Sequence, residues 1–453
     1  MNLPNYFLAD LPPEATLNKQ MLWEACQTLK RNREQYLADR STRSLIKTLH
    51  DVGQNWLDGE YPIRKLALER GPEFTGFSGA VLARGLFLFF EQLTGENIET
   101  LIAHDLGHSQ RLDAMVSTAA EQKRDHASIA VGPELIAHIA AGNIPTPIFM
   151  SVILGLLTRS AQLVKCASGA SFLPRMFAHS IYDADPKLGA CLEIAEWKGG
   201  STELEQALFA EADCVTATGS DETLAALRPR IRQTARVLGY GHQVSFGYIT
   251  AEALSGFHAN KVIAHAATDM VAWDQLGCLS PHAFYVEHGG GISAEQFAEK
   301  LAEELAQREK VEPRGQLNME EAASIASKRS FYKVRAASSP DTRLWCSEGS
   351  TAWTVVYEAD RRFQLSSLHR FIYVKSVTDL DDLLQGIESI RGKVSTVGIA
   401  APENRAPEIA TRLGRWGVTR VCPLGRMQNP PLTWRHDGRP SLGDLIKWTD
   451  WEL

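Results

Sequence analysis

The chain has 453 residues, enough for two or three domains that each bury a core of their own. Its 44% hydrophobic and 22% charged residues are those of an ordinary globular protein, and 47 basic against 54 acidic side chains leave a net charge of −7. With no long basic run, that balance argues against nucleic acid or an anionic membrane as the main partner. Residues 1–10 have no basic n-region and no sustained apolar core, so no signal peptide is expected. The most apolar windows, residues 85–90 and 148–157, fall short of the roughly 20 residues a membrane helix needs. Seven cysteines, at 26, 166, 191, 214, 278, 346 and 422, are an odd number without any Cys-x-x-Cys pair. Neither a structural metal nor a disulfide framework is expected, and the expected compartment is the cytoplasm.

Residues 18–39 and 43–57 carry apolar side chains at three-to-four spacing among charges, and residues 79–93 form a strongly apolar helical pattern. Up to about residue 110 the chain therefore reads as helical packing elements. From about residue 115, short β-type runs at 135–140, 162–166, 190–194 and 214–217 alternate with helical patterns from Pro147, near 172–182, at 202–209 and at 221–227. That rhythm predicts a mostly parallel sheet covered on both faces, with room for a dinucleotide across the carboxyl ends of its strands. A second α/β series begins near residue 245. It has strands at 282–286, 371–375, 395–400 and 420–423 and helices near 381–390 and 406–416. Ser293-Ala-Glu-Gln296 is a capping box that opens an amphipathic helix with Phe297, Leu301 and Leu305 on one face. Residues 310–350 read as irregular with a long loop, and 423–453 as a tail packed onto another surface. The expected domains are 1–245 (helical region and dinucleotide-binding domain, with an arm near 115–137), 246–424 (catalytic) and 425–453 (packing or oligomerisation tail).

The chemistry centres on Trp273-Asp-Gln-Leu-Gly-Cys278-Leu-Ser-Pro281, where a thiol in a Gly/Ser/Pro turn runs directly into a strand. Such a thiol is held rigidly yet faces a pocket, as a covalent nucleophile must; the plainer reading is a small buried core residue. Gly142-Asn143-Ile-Pro145-Thr-Pro147 follows a strand and precedes an apolar helix, so the Asn143 amide can serve an oxyanion or simply a turn. Lys165 ends the next strand, within reach of a ribose or phosphate, or merely solvated. Gly219-Ser220 ends another strand and opens a helix, which suits either phosphate oxygens or an N-cap by Ser220. His242, His282 and His369 are possible acid–base groups. The motifs H-E-x-x-H, G-x-x-x-x-G-K-[ST] and G-x-S-x-G are all absent.

Taken in order, Ala140-Ala-Gly-Asn-Ile-Pro-Thr-Pro147, Leu163-Val-Lys-Cys-Ala-Ser168, Val215-Thr-Ala-Thr-Gly-Ser220 and Trp273-Asp-Gln-Leu-Gly-Cys-Leu-Ser-Pro281 resemble the aldehyde dehydrogenase superfamily. Within it they look most like the long-chain acyl-CoA reductases, the reductase subunits of bacterial fatty acid reductase complexes. Trp434-Arg-His-Asp-Gly-Arg439 with Leu445-Ile-Lys-Trp448 fits the same family, and the likeness spans roughly residues 115–450. The resemblance implies an α/β fold with a Rossmann-type cofactor domain, an α/β catalytic domain and a small oligomerisation arm. It implies Cys278 as the acyl-accepting nucleophile, with Asn143 and the Cys278 backbone N–H on the oxyanion. Lys165 would sit on the adenosine ribose, and Gly219 and Ser220 under the pyrophosphate. Many NAD-preferring relatives carry a glutamate three residues after this lysine; here Ser168 removes that charge, which favours NADPH. Hydrolytic relatives carry a water-activating glutamate where this chain has Gly241-His-Gln-Val-Ser-Phe-Gly247, and no counterpart of their later cofactor-side glutamate occurs around 363–370.

The expected reaction is therefore reduction of a long-chain acyl-CoA or acyl-protein thioester to the aldehyde. Expected partners are an acyl-protein synthetase, an acyl-transferase and further copies of the chain. Two alternatives remain: a reductase of an acyl phosphate or other short acyl substrate, and an acyl-carrying subunit that performs no reduction.

Overall fold

The computed structural model describes residues 3–12, 14–256 and 258–452. Contacts divide the chain into two compact units. One comprises Met1–Thr75, Leu86–Gly241 and Pro431–Leu453; the other comprises Gly76–Gly85 and His242–Pro430.

In the first unit, β1 (His126–Val131) precedes five strands of one sheet: β2 (Leu135–Ile139), β3 (Ala161–Cys166), β4 (Leu192–Glu196), β5 (Cys214–Thr218) and β6 (Arg236–Tyr240). Their order is β4-β3-β2-β5-β6, and every pairing is parallel. β2 and β3 are buried along their whole length, which is why their sequences read as continuous rather than alternating apolar runs. The crossovers run through helices Thr146–Leu157, Phe172–Ala184, Thr202–Glu211 and Asp221–Leu227, close to the predicted bounds. A polar seam crosses the middle of the sheet: His138 of β2 lies 2.7 Å from Thr216 Oγ1 of β5 and 2.8 Å from Gln162 Oε1 of β3. Burial pushes that imidazole down to about 4, so it is neutral in the folded protein.

The helical first third covers this sheet. Asn18 caps helix Lys19–Tyr36 by accepting from Gln20 and Met21 N–H, and Leu22, Cys26 and Leu29 enter the same core as Leu135 and Leu163. Trp56 stacks on Phe90, and Phe149 lies against Phe177, with ring centroids 4.7 and 4.6 Å apart. Each such aromatic pair adds roughly 0.5–1.5 kcal/mol beyond area burial.

The second unit holds β7 (Val244–Ile249), β8 (Pro281–Glu287), β9 (Thr342–Cys346), β10 (Thr354–Glu358), β11 (Phe371–Val377), β12 (Val394–Ala400) and β13 (Arg420–Pro423). The sheet order is β13-β12-β7-β8-β11-β10-β9, parallel except for the edge pair β10–β9. The capping box at Ser293 forms as expected and opens helix Ala294–Val311. Residues 310–350 are not the loop the sequence suggests. Asn318 and Glu321 form another capping box, followed by the 20-residue helix Met319–Ser338 and then β9. Only Ile325, Arg329 and Tyr332 of that helix are buried, while Phe331 and Val334 face outward, so no clean apolar stripe marked it.

The tail also ends in structure. β14 (Lys447–Glu452) pairs antiparallel with β1 of the same unit, His126 opposite Glu452. All six of its residues are exposed, so no alternation between core and solvent announced it.

Candidate active site

In the second unit, Cys278 sits half-buried in the turn that enters β8. The turn is fixed from several sides. Ser245 Oγ on β7 donates to the Cys278 carbonyl oxygen at 2.8 Å, and Ser280 N–H closes back on Gly277 O at 2.9 Å. The Gln428 side chain bonds Ser280 Oγ, and a Cβ on Gly277 would stand 2.7 Å from the same Gln428 amide. Glycine at 277 is thus a matter of close approach. Cys26, Cys166, Cys191, Cys214 and Cys422 contrast with this: all are buried, and burial pushes each thiol up to about 12.

Just upstream, Trp273, Asp274 and Gln275 occupy the left-handed region, with φ of 51°, 49° and 66°. For side-chain-bearing residues this costs roughly 1–3 kcal/mol each, so the surrounding contacts must enforce it. They do so residue by residue. Gly85 lacks the Cβ that would strike the Trp273 indole. Asp274 accepts from Arg370 Nε at 2.9 Å and from Gly315 N–H at 3.0 Å. Gln275 Nε2 donates to the carbonyls of Pro281 at 2.7 Å and Phe371 at 2.9 Å. Arg370 closes a second left-handed run, Leu368, His369 and Arg370, and also reaches Glu309 Oε2 and the Glu312 carbonyl, each at 2.8 Å. Arg370 is only 1% exposed, so its pairing with Asp274 is a desolvated ion pair that holds the two runs together.

The histidines divide. His282 Nδ1 accepts from the Ser366 backbone N–H at 3.2 Å and lies 3.0 Å from Ser366 Oγ, leaving the ring proton on Nε2. Burial pushes its pKa down to about 4, so at neutral pH His282 is a neutral donor and not an imidazolium acid. His369 lies 3.5 Å from Glu321 Oε1, and burial lowers its pKa. His242 is exposed.

In the first unit, the sheet order makes the gap between β2 and β5 a topological switch point, where ligands of open α/β sheets lie against the carboxyl ends of the strands. The sequence-marked residues gather along that edge. Gly142 and Asn143 follow β2, Lys165 and Ser168 close β3, and Gly219 and Ser220 follow β5. Asn143, Ser168 and Ser220 are exposed. Lys165 is largely buried, which lowers its pKa, and its ammonium lies 5.8 Å from the Trp197 ring centroid. Among the described residues it makes no hydrogen bond, so its donors are available to a ligand. Ser220 Oγ accepts from Thr223 N–H, so the N-cap is real and the phosphate role rests on backbone donors. One residue that the sequence reading missed is Glu196 at the end of β4, whose Oε1 accepts from Gly169 N–H at 2.7 Å. It brings a carboxylate beside the Ser168 turn. The edge suits a dinucleotide: an ammonium, hydroxyls, a helix start and a small-residue turn stand in one line.

Comparison with known proteins gives the fold and the family of the chain. A long-chain acyl-protein thioester reductase of Aliivibrio fischeri is 23% identical over 416 residues, covering 90% of this chain and 82% of the relative. Among solved structures, a bifunctional proline utilization A protein superposes with a TM-score of 0.71 at 15% identity; 98% of this chain spans only 45% of that one. A mutant of aldehyde dehydrogenase C from Pseudomonas syringae, in complex with NAD+ and octanal, gives a TM-score of 0.70 at 12% identity. That match covers 97% of this chain and 90% of the other. These likenesses establish the aldehyde dehydrogenase fold. Residues 37–448 match the family described as acyl-CoA reductase (LuxC), and the chain belongs to that family.

Proposed function

We propose that this protein reduces a long-chain acyl thioester, carried by CoA or by a partner protein, to the fatty aldehyde with NADPH, through an acyl group held on Cys278. The observation that carries the reading is the Cys278 turn: a half-buried thiol just after a strained, over-determined run of backbone, in a chain whose other strand-associated thiols are mostly buried, with burial pushing them up. The name of the Aliivibrio fischeri relative supports an acyl-protein as donor.

Cys278 Sγ attacks the acyl carbonyl carbon, forming a new C–S bond as the bond to the carrier sulfur breaks. The carrier leaves as a thiolate and takes its proton from solvent. The Asn143 amide and the Cys278 backbone N–H donate to the oxyanion. When bound, the nicotinamide cofactor supplies the hydride that turns the acyl-cysteine into a thiohemiacetal. Collapse of that adduct releases aldehyde and returns the Cys278 thiolate. Because Gly241-His-Gln-Val-Ser-Phe-Gly247 contains no carboxylate, no glutamate at that position activates water, which favours an acyl-cysteine that persists until it is reduced. Lys165 would hold the adenosine ribose, Gly219 and Ser220 the pyrophosphate, and Ser168 would leave room for a 2′-phosphate. The exposed β1–β14 ribbon, with Trp448 and Trp451 on its surface, supports assembly of several copies. Among the described residues no helix is long and apolar enough to cross a membrane.

The test is NADPH consumption with a long-chain acyl-CoA, the aldehyde being trapped and identified, alongside intact mass after acyl-CoA alone. Turnover with stoichiometric aldehyde supports the reading. Cys278→Ala should lose both acylation and reduction while still binding NADPH; aldehyde production by that variant sinks the mechanism. Acylated protein that never turns over would instead mark an acyl carrier.

A further inference from the structure

The sheet of the second unit places a buried arginine on the face that supports the nucleophile turn. Arg420 of β13 is in register with Thr396 of β12, Thr396 with Ser245 of β7, and Ser245 with Pro281 of β8. Residues in register across a parallel sheet share a face. Ser245 Oγ bonds the Cys278 carbonyl, so the shared face is the one beneath the nucleophile. Two strand spacings, about 10 Å, separate Arg420 from Ser245, a gap that an extended arginine largely spans.

The guanidinium is anchored there. It donates to the carbonyls of Met427 at 2.6 Å and Arg426 at 2.8 Å, and Arg420 is only 8% exposed. The next residue, Gln428, contacts Gly277 and Ser280, which flank Cys278 on both sides. Asp269 of helix His258–Val271 ties the same turn by accepting from Gly425 and Met427 N–H.

We propose that Arg420 is the cation that holds Cys278 as a thiolate, a positioning residue that acts through charge. The inference rests on Cys278 being the nucleophile. The thiol loses its proton to solvent, Arg420 stays protonated, and no electrons move; only the thiolate attacks a thioester. The charged and titratable groups facing Arg420 support this. They include Asp269 from its helix, Cys422 on its own strand and Cys278, while β12 and β7 contribute the uncharged Thr396 and Ser245. Burial disfavours the Arg420 charge, and those three groups favour it. Cys422 is pushed up to about 12 and stays neutral. Asp269 is pushed up to about 7 by burial, despite its two backbone donors and the cations Arg420 and Arg308, so near neutrality it compensates Arg420 only in part.

The experiment is the pH profile of iodoacetamide alkylation at Cys278, read on its own peptide by mass spectrometry in the full chain. Arg420→Gln keeps a donor for the carbonyls but no charge. Its midpoint should rise by about one pH unit, alkylation at pH 7 slowing about tenfold, while Arg420→Lys stays near wild type. A folded Arg420→Gln with an unmoved midpoint overturns the proposal and leaves Arg420 as a turn anchor. Asp269→Asn leaves Arg420 intact and removes its competing anion, so the midpoint should fall; a rise or no change overturns the proposal independently, even where Arg420→Gln does not fold. Acyl-CoA labelling is read separately. Label away from Cys278 would overturn the proposed function without touching the alkylation profile.

Discussion

In the first unit the candidate cofactor residues stand on ordinary turns after parallel strands. In the second, Cys278 follows three side-chain-bearing residues in left-handed backbone, locked by a buried ion pair. The first arrangement needs only strand order and small or polar residues at the strand ends. The second must hold three residues just before the sulfur against their own backbone preference. Separate turns of this kind tolerate substitution piecemeal, whereas the Cys278 turn stands or falls as a set.

Arg370→Met should break that contrast most severely. It leaves Asp274 charged and buried without its guanidinium, a loss of about 3–5 kcal/mol that denaturant unfolding measures, with acyl-transfer lost in whatever folds. A loss below about 1 kcal/mol would mean that the left-handed runs do not depend on the pair. Next in size is the pH response, where the two units oppose each other. His138 has its pKa depressed to about 4, so its contribution is intact above about 6.5 and is lost as pH falls towards 4. Asp269 has its pKa raised to about 7, so its contribution is intact below about 3.8 and is lost as pH rises towards 7. The melting temperature of Asp269→Asn relative to wild type should therefore climb between pH 4 and 7, and a flat difference would remove Asp269 from the balance. On the cofactor edge the changes are smaller. Ser168→Glu should lower the NADPH/NADH affinity ratio about tenfold, and Glu196→Gln should raise it by less, both read by fluorescence titration. The smallest effect expected is on assembly: Trp451→Glu should weaken self-association in light scattering and leave the melting temperature within about 2 °C.

Strands β2 to β5, β8 and β11 to β13, with the residues at their carboxyl ends, were legible because buried parallel strands write themselves as short apolar runs bounded by Gly, Ser and Asn, whereas β6, β7, β9 and β10 were not marked. Asn143, Lys165 and Gly219 could be marked from position alone. Helix Met319–Ser338 and β14 were not legible, because an element lying mostly in solvent imposes no periodicity. The Cys278 turn was half legible. Cys278 and Gly277 stand in the sequence as a turn entering a strand, but nothing in Trp-Asp-Gln announces left-handed backbone. Arg370 lies 96 positions from Asp274 along the chain, so no local pattern could join them. Glu196 was hidden for the same reason: its relation to Ser168 exists only once β3 and β4 lie side by side.

The route of the chain has a consequence for how this protein comes into being. The first unit is left at Gly241 and resumed at Pro431, and its ribbon pairs His126 with Glu452. Arg236 likewise donates to the carbonyls of Asp444 and Ile446. On the ribosome, the second unit has its full sequence before the first does, so the intervening half can fold while the earlier half still waits for its last strand. Until residues 447–452 have been made, β1 lacks this partner strand, and a chain stalled before them would present that edge to any neighbour.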